Sequence, residues 1–227
     1  MERVAVQAGV LSANQQTAAE NRRLFEAQGL LVMNLMSAPG AGKTTLLEAT
    51  LQALRGRFRM AVIEGDMQTD LDAQRIRALG VRSHQITTGT VCHLDARMVA
   101  RALAVFPVDE LDLLVIENVG NLICPASFDL GESLRVVVSS VAEGAEKPKK
   151  YPVMFHKADV VLINKTDLAA ASGVDLRELE ANIRDVNPRA IVFALSCKTG
   201  VGLEAWTEWL QHAMELRGVT AMASVRG

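Results

Sequence analysis

The sequence lacks a charge imbalance. Its 24 lysines and arginines stand against 26 aspartates and glutamates, for a formal net charge of -2 over 227 residues. There is thus no electrostatic footprint for nucleic acid or an anionic membrane, and neither is an expected partner. No apolar run approaches the roughly 18 residues that suggest a membrane span. The opening stretch MERVAVQAGVLSANQQ holds no apolar segment of the kind that marks a secretory signal. The expected compartment is therefore the cytoplasm. Cysteine is sparse and odd in number: three thiols do not make a disulfide framework, so each must be read for packing, metal binding or reactivity. Internal repeats, heptad runs and low-complexity tracts are also lacking.

What is there reads as an ordinary globular protein, with 49% hydrophobic and 22% charged residues. The length suits one domain with a sizeable core. The expected organisation is a single domain over 1–227, with 1–29 as a leading helix and 30–216 as the core. Residues 12–28 begin with Ser12 three positions before Gln15, a capping-box spacing, and run through good helix formers to Gly29. Short apolar runs follow at 30–36, 60–63, 113–116, 136–138, 160–163 and 191–195. Helical spacing of apolar residues appears near 70–79, 95–104, 175–186 and 202–216. Strands separated in this way need crossovers, which predicts an α/β fold with a mostly parallel central sheet flanked by helices on both faces. Residues 119–133 and 142–157 read as long connections.

At the end of the first apolar run stands SAPGAGKTT, residues 37–45. This matches the phosphate-binding P-loop, G-x-x-x-x-G-K-[ST], except that Ser37 occupies the first glycine position. Gly40, Ala41 and Gly42 supply a tight backbone whose amides can face phosphates. Lys43 supplies the charge, Thr44 a hydroxyl for Mg²⁺, and Thr45 continues the turn into the helix. The amides that matter lie downstream of Ser37, so a small serine is tolerated there if its φ/ψ is an ordinary one.

The base is read elsewhere. After the apolar run VVLI come Asn164, Lys165, Thr166 and Asp167. A carboxylate at Asp167 accepts hydrogen bonds from guanine N1–H and N2–H₂, whereas adenine offers an acceptor at N1 and no 2-amino group. This selects GTP over ATP and argues against a small-molecule kinase. Lys165 lies along the base and Asn164 ties this loop to the P-loop. Ser196, Cys197 and Lys198 follow the last strand and resemble the Ser-Ala-Lys loop that completes guanine sites, with Cys197 as a small residue in the alanine slot.

Two further strand ends face Mg²⁺ and the γ-phosphate. The stretch VIEGDMQTDLDAQRI offers Asp66, Asp70 and Asp72, and LLVIENVGN offers Glu117 and the amide of Gly120. Lys43, Asp66 and Glu117 are the expected catalytic groups, and Thr44, Asp66, Asp72 and Glu117 the expected Mg²⁺ ligands. No glutamine is evident for orienting the attacking water, nor an arginine finger, so slow hydrolysis is expected without a partner. Cys92 and His93, with Cys124 four residues past Gly120, suit Zn²⁺ or Ni²⁺. A packed cysteine beside a helix-capping histidine is the other reading. His84 and His156 read as structural or solvated.

Together, ENRRLFEAQGLLVMNLMSAPGAGKTTLLE, EGDMQTDLDAQRI, TGTVCHLDARM, ENVGNLICPASFDLGE and KYPVMFHKADVVLINKTDL resemble the HypB family of hydrogenase nickel-incorporation GTPases. The resemblance spans about 13 to 215. In that family, part of the signal-recognition and MinD-related class, a serine at the first P-loop position is usual. The resemblance implies a GTP/GDP switch with Mg²⁺, and a Ni²⁺ or Zn²⁺ site from Cys92, His93 and Cys124 at or near a homodimer interface promoted by GTP or metal. It further implies a hydrogenase large-subunit precursor and a nickel-binding accessory protein as partners, with Lys149 and Lys150 reaching the nucleotide across the dimer. Some members carry cysteine- or histidine-rich nickel-binding tracts. Here no Cys or His precedes His84, so metal handling falls to residues 92–124 and nickel storage is not expected. The urease accessory GTPases, with a Cys-Pro-His tripeptide, and the cobalamin-enzyme chaperones are the rival readings.

Overall fold

A computed structural model describes residues 2–68 and 71–218, with side chains from residue 9 onward. Asp70 lies outside the described residues, as do residue 1 and residues 219–227 of the expected domain. The chain runs α1 (Glu2–Ala27), β1 (Leu31–Ser37), α2 (Lys43–Leu54), β2 (Met60–Asp66), α3 (Leu71–Ala78), β3 (Arg82–Thr87), α4 (Ala96–Leu103), β4 (Leu113–Glu117), β5 (Leu134–Ser140), α5 (Lys147–Lys150), α6 (Pro152–His156), β6 (Val160–Asn164), α7 (Ala169–Ser172), α8 (Leu176–Val186), β7 (Ile191–Ala194) and α9 (Leu203–Glu215). Among the described residues no helix is long and apolar enough to cross a membrane.

The seven strands form one all-parallel sheet in the order β3-β2-β4-β1-β5-β6-β7. In β1, β2, β4, β5 and β6 the runs are mostly apolar on successive residues because both sheet faces are buried, whereas the edge strand β7 is apolar but only partly buried. Leu31, Met33 and Leu35 of β1 join β4 residues Leu113 and Val115 in a core roofed by α2 and α9. Val32 faces the other way, towards Val99 and Leu103 of α4 and Phe25 of α1. Met36, Val137 and Val161 meet Phe155 of α6 and Ile183 of α8 on that same opposite side. Strand order reverses around β1, so the loops leaving the C-terminal ends of β1, β2, β4 and β6 open onto a common crevice, the usual ligand position in open parallel sheets.

Three local expectations need correction. Helix α1 begins at Glu2, so Ser12 is interior and caps nothing. The residues before it are mostly helix formers, and Gly9 alone, at about 1 kcal/mol, does not stop the helix. Strand β3 has no apolar run, since Arg-Ser-His-Gln-Ile-Thr covers an edge and is only partly buried. Its pairing with β2 holds it in the sheet. Residues 142–157 are not a long loop but contain α5 and α6, with Pro148 and Pro152 in their first turns. A missing N–H costs nothing there.

Candidate functional site

Ser37 is the last residue of β1 and is fully buried. Among the described residues Lys165 is the one non-glycine with positive φ, so Ser37 has an ordinary backbone conformation. Its hydroxyl donates to the Ala38 carbonyl at 2.6 Å and accepts from Lys43 Nζ at 3.2 Å. Gly40 and Gly42 take φ of 74° and 94°, conformations that turn the chain tightly before α2 opens at Lys43. At Gly42 a side chain is also sterically excluded, because a Cβ would lie 2.6 Å from Asn164 Nδ2.

Asn164, buried at the end of β6, joins the loop after β6 to the loop after β1. Its Nδ2 donates to the Ala41 carbonyl at 2.9 Å, and its Oδ1 accepts from the amides of Lys165 at 2.7 Å and Cys197 at 3.3 Å. Lys165 is held left-handed at φ 61°, a strain of order 1 kcal/mol. Its Nζ donates to the Gly40 carbonyl at 2.6 Å, which lays the side chain across the gap between the loops. Asp167 Oδ1 accepts from Ser196 Oγ at 2.6 Å. Gly42, Thr45, Asn164, Lys165, Asp167, Cys197 and Lys198 line one cavity of about 450 Å³. Burial pushes the Cys197 thiol up to about 11, which keeps it neutral.

The adjoining cavity, about 570 Å³, collects Gly40, Lys43, Thr44, Asp66, Asp72, Glu117 and Gly120. Thr44 Oγ1 donates to Glu117 Oε1 at 2.9 Å, and Lys43 Nζ lies 3.9 Å from the same oxygen. Asp66 Oδ1 accepts from the Gln68 amide at 2.8 Å. Asp72 contacts Arg75 at 3.2 Å. Two residues here were not singled out in the sequence. Arg75 lines this cavity while its guanidinium is paired with Glu48 at 2.6 Å and 2.9 Å. Glu64 of β2 is the register partner of Glu117 of β4. Burial, then the Glu117 charge, push Glu64 up to about 10. Burial also raises Glu117, against the opposing charge of Lys43 and the Thr44 hydrogen bond. The signal for Glu64 in the sequence is a charge that directly follows four apolar residues inside β2.

Cys92, His93 and Cys124, from loops remote in sequence, come together with ligand atoms within 4.8 Å of one another. The two sulfurs are 3.2 Å apart, and that thiol–thiol hydrogen bond, more than burial, raises Cys124. The His93 ring stacks on Phe128 at 3.9 Å between centroids. Burial lowers its pKa, keeping the imidazole neutral. Two thiols and a neutral imidazole at this spacing form a soft donor set suited to a late transition metal. His84 meets Phe106 edge-on, and His156 Nδ1 lies 3.2 Å from the Val186 carbonyl. Lys149 and Lys150 are not brought to the cavities of their own chain. They are exposed on α5 and pair with Asp185 at 3.4 Å and Glu146 at 3.1 Å.

Comparison with known proteins gives a consistent picture. Residues 31–194 match the family described as CobW/HypB/UreG, nucleotide-binding domain. The hydrogenase maturation factor HypB of Azotobacter vinelandii is 52% identical over 207 residues, covering 91% of this chain and 68% of that protein. The crystal structure of HypB from Helicobacter pylori in complex with nickel is similar at TM-score 0.86 and 38% identity, covering 93% of this chain and 99% of that one. The hydrogenase maturation factor HypB from Archaeoglobus fulgidus is similar at TM-score 0.84 and 41% identity, covering 89% of this chain and 99% of that one.

Proposed function

The chain belongs to the CobW/HypB/UreG family, in its HypB branch of hydrogenase maturation factors, and we propose that it is a GTP-hydrolysing nickel metallochaperone that assists nickel insertion into a hydrogenase precursor. The observation that carries the reading is a shared segment. Residues 117–124 run from a carboxylate of the phosphate cavity, past Gly120, to Cys124 of the thiol–imidazole cluster.

In this reading Asp167 recognises the guanine edge, Asn164 holds the base loop against the P-loop, and Cys197 leaves room for the ring. The amides from Gly40 to Thr45, with Lys43, bind the β- and γ-phosphates. Water attacks the γ-phosphorus, the bond to the β-phosphate oxygen breaks, and GDP and phosphate leave. The cavity around Thr44 is rich in oxygen: Asp66, Asp72 and Glu117 line it, and Glu117 Oε2 is buried with no hydrogen-bond partner among the described residues. That fits a hard divalent cation. Thr44, Asp66, Asp72 and Glu117 would hold Mg²⁺, which when bound neutralises phosphate charge.

Nickel is the cargo. Cys92, His93 and Cys124 supply three ligands, and a second copy of the chain supplies the rest in a homodimer promoted by GTP, metal or both. Zn²⁺ suits the same donors. Lys149 and Lys150, exposed and away from their own nucleotide cavity, would exchange their surface ion pairs with Asp185 and Glu146 for a partner's nucleotide. The GTP-ordered state of 117–124 and the GDP state hold metal with different affinity, and transfer to the hydrogenase large-subunit precursor, aided by a nickel-binding accessory protein, follows that difference.

The test is direct. Competition for bound guanine nucleotide should be strong with GDP and absent with ATP, and Ni²⁺ titration should lose the cluster's binding in Cys92→Ala. Tight ATP binding with indifference to GTP would sink the proposal. Turnover without partners is expected below about 0.1 per second.

A further inference from the structure

The switch segment and the metal loop are joined by side chains that the reading above does not use. Two asparagines stand on either side of Gly120, and both hold the Cys92–Leu94 stretch. Asn118 Oδ1 accepts from the Leu94 amide at 3.1 Å, one residue past His93. Asn121 Nδ2 donates to the Cys92 carbonyl at 3.3 Å. The loop carrying both metal ligands is therefore gripped at each end by the two residues that bracket the sensor glycine.

Neither amide is free to turn. Asn118 is 1% exposed, its Nδ2 donates to Asn34 Oδ1 at 3.2 Å, and its Oδ1 also accepts from the Val119 amide at 3.0 Å. Asn34 in turn donates to Glu132 Oε1 at 3.3 Å, which receives Arg135 Nε at 2.6 Å. Asn121 Oδ1 accepts from the Ile123 amide at 2.9 Å, which fixes the turn leading to Cys124. The far side of the metal loop is equally close-fitting. Leu94 lies over Gly65, where a Cβ would meet Leu94 Cδ1 at 2.8 Å, and the Thr88 amide donates to the Asp66 carbonyl at 2.9 Å. Close-packed, fully bonded contacts of this kind move together or break, and do not deform gradually.

We propose that Asn118 and Asn121 are the positioning residues that make metal affinity depend on the nucleotide, by fixing the Cys92–His93 loop to the segment that carries Gly120. When the Gly120 amide turns to a γ-phosphate oxygen, Asn118 draws on Leu94 and Asn121 on Cys92, while Cys124 moves with its own segment. The spacing of the two thiols and the imidazole changes, and with it the affinity. This rests on the metallochaperone reading, in which Gly120 senses the γ-phosphate and the cluster holds nickel.

The experiment is Ni²⁺ titration of the full chain with GDP and with a non-hydrolysable GTP analogue, for the wild type, Asn121→Ser and Asn118→Ser. Serine at 121 can still accept from Ile123 but is too short for Cys92. The wild type should differ between the two nucleotides by about fivefold or more, as in typical allosteric coupling. The variants should bind both nucleotides as tightly as the wild type and unfold at a similar temperature, yet show less than about a twofold difference. If the wild type itself shows no nucleotide dependence, the metallochaperone switch fails and this inference with it. If the wild type shows the dependence and both variants retain it, the clamp alone is wrong. Loss of Ni²⁺ binding in both nucleotide states would make the asparagines builders of the site only, which also overturns the proposal. Asn118 is buried, so should Asn118→Ser fail to fold, the partly exposed Asn121→Ser decides.

Discussion

Glu64 of β2 and Glu117 of β4 face the same side of adjacent strands as register partners, each almost wholly buried, and Glu117 lines the cavity around Thr44. Two carboxyls in that position cannot both ionise at low cost, and it is Glu64 that is pushed up to about 10, by burial first and the Glu117 charge second. Glu64 thus keeps its proton in the folded protein at neutral pH and loses it on unfolding. Its stabilising contribution is complete below its unfolded pKa of about 4.5 and is lost as pH rises towards about 10. Thermal unfolding of nucleotide-free protein in a chelator should fall from pH 6 to pH 9, by roughly 1 kcal/mol per pH unit at most from this proton. Glu64→Gln, which cannot ionise, should flatten that slope. An unchanged slope would show that Glu64 is ionised in the folded state.

Gly42 and Asn164 fit together with no room for a methyl group between them. Gly42→Ala adds a Cβ in that space and forces alanine into φ 94°. Relief requires Asn164 to leave the Ala41 carbonyl, which separates the base loop from the P-loop. Guanine-nucleotide affinity should drop by about a hundredfold or more, with a stability cost of about 1–3 kcal/mol. Fluorescent-nucleotide titration alongside thermal unfolding measures both.

Asp167 lines the base cavity and accepts from Ser196. In Asp167→Asn the carboxamide presents a donor where guanine also presents donors, so GTP affinity should fall by about two to three orders of magnitude. Xanthine carries a carbonyl at the 2-position and should be accepted in its place. Competition by XTP against GTP is the measurement, and retention of wild-type GTP affinity would contradict the assignment of Asp167.

Trp206 is fully buried, and its indole N–H donates to Thr50 Oγ1 at 3.0 Å between α9 and α2. Thr50→Val keeps the shape and removes the acceptor, leaving a buried donor unpaired at a cost of about 1–3 kcal/mol. Urea unfolding should report that loss while nucleotide affinity stays at the wild-type value.

The two loops that line the adjoining cavities were legible because each is local. Gly40, Gly42, Lys43 and Thr44 lie within one turn after one strand, and Asn164, Lys165 and Asp167 within another. The apolar runs of β1, β2, β4, β5 and β6 were legible because both sheet faces are buried there, and β7, an edge strand that is only partly buried, was legible because Ile191–Ala194 is apolar all the same. Strand β3 was not, since an edge strand with partly exposed residues needs no apolar run and is held by its pairing with β2. Glu64 was passed over because a glutamate inside a strand says nothing about its neighbour until Glu117 is known to lie beside it.

By itself, then, the sequence determined the class of fold and the membership of a P-loop GTPase family, since these depend on residue type and spacing along a few contiguous positions. Only the tertiary structure decided that Cys92 and Cys124, 32 residues apart, bring their sulfurs together, that Glu64 is buried beside Glu117, and that Asn118 and Asn121 hold the Cys92–Leu94 stretch from both ends. Those pairings depend on the strand order β2-β4-β1, which sets side by side the loops that leave neighbouring strands. No periodicity within a single loop records which other loop will lie against it.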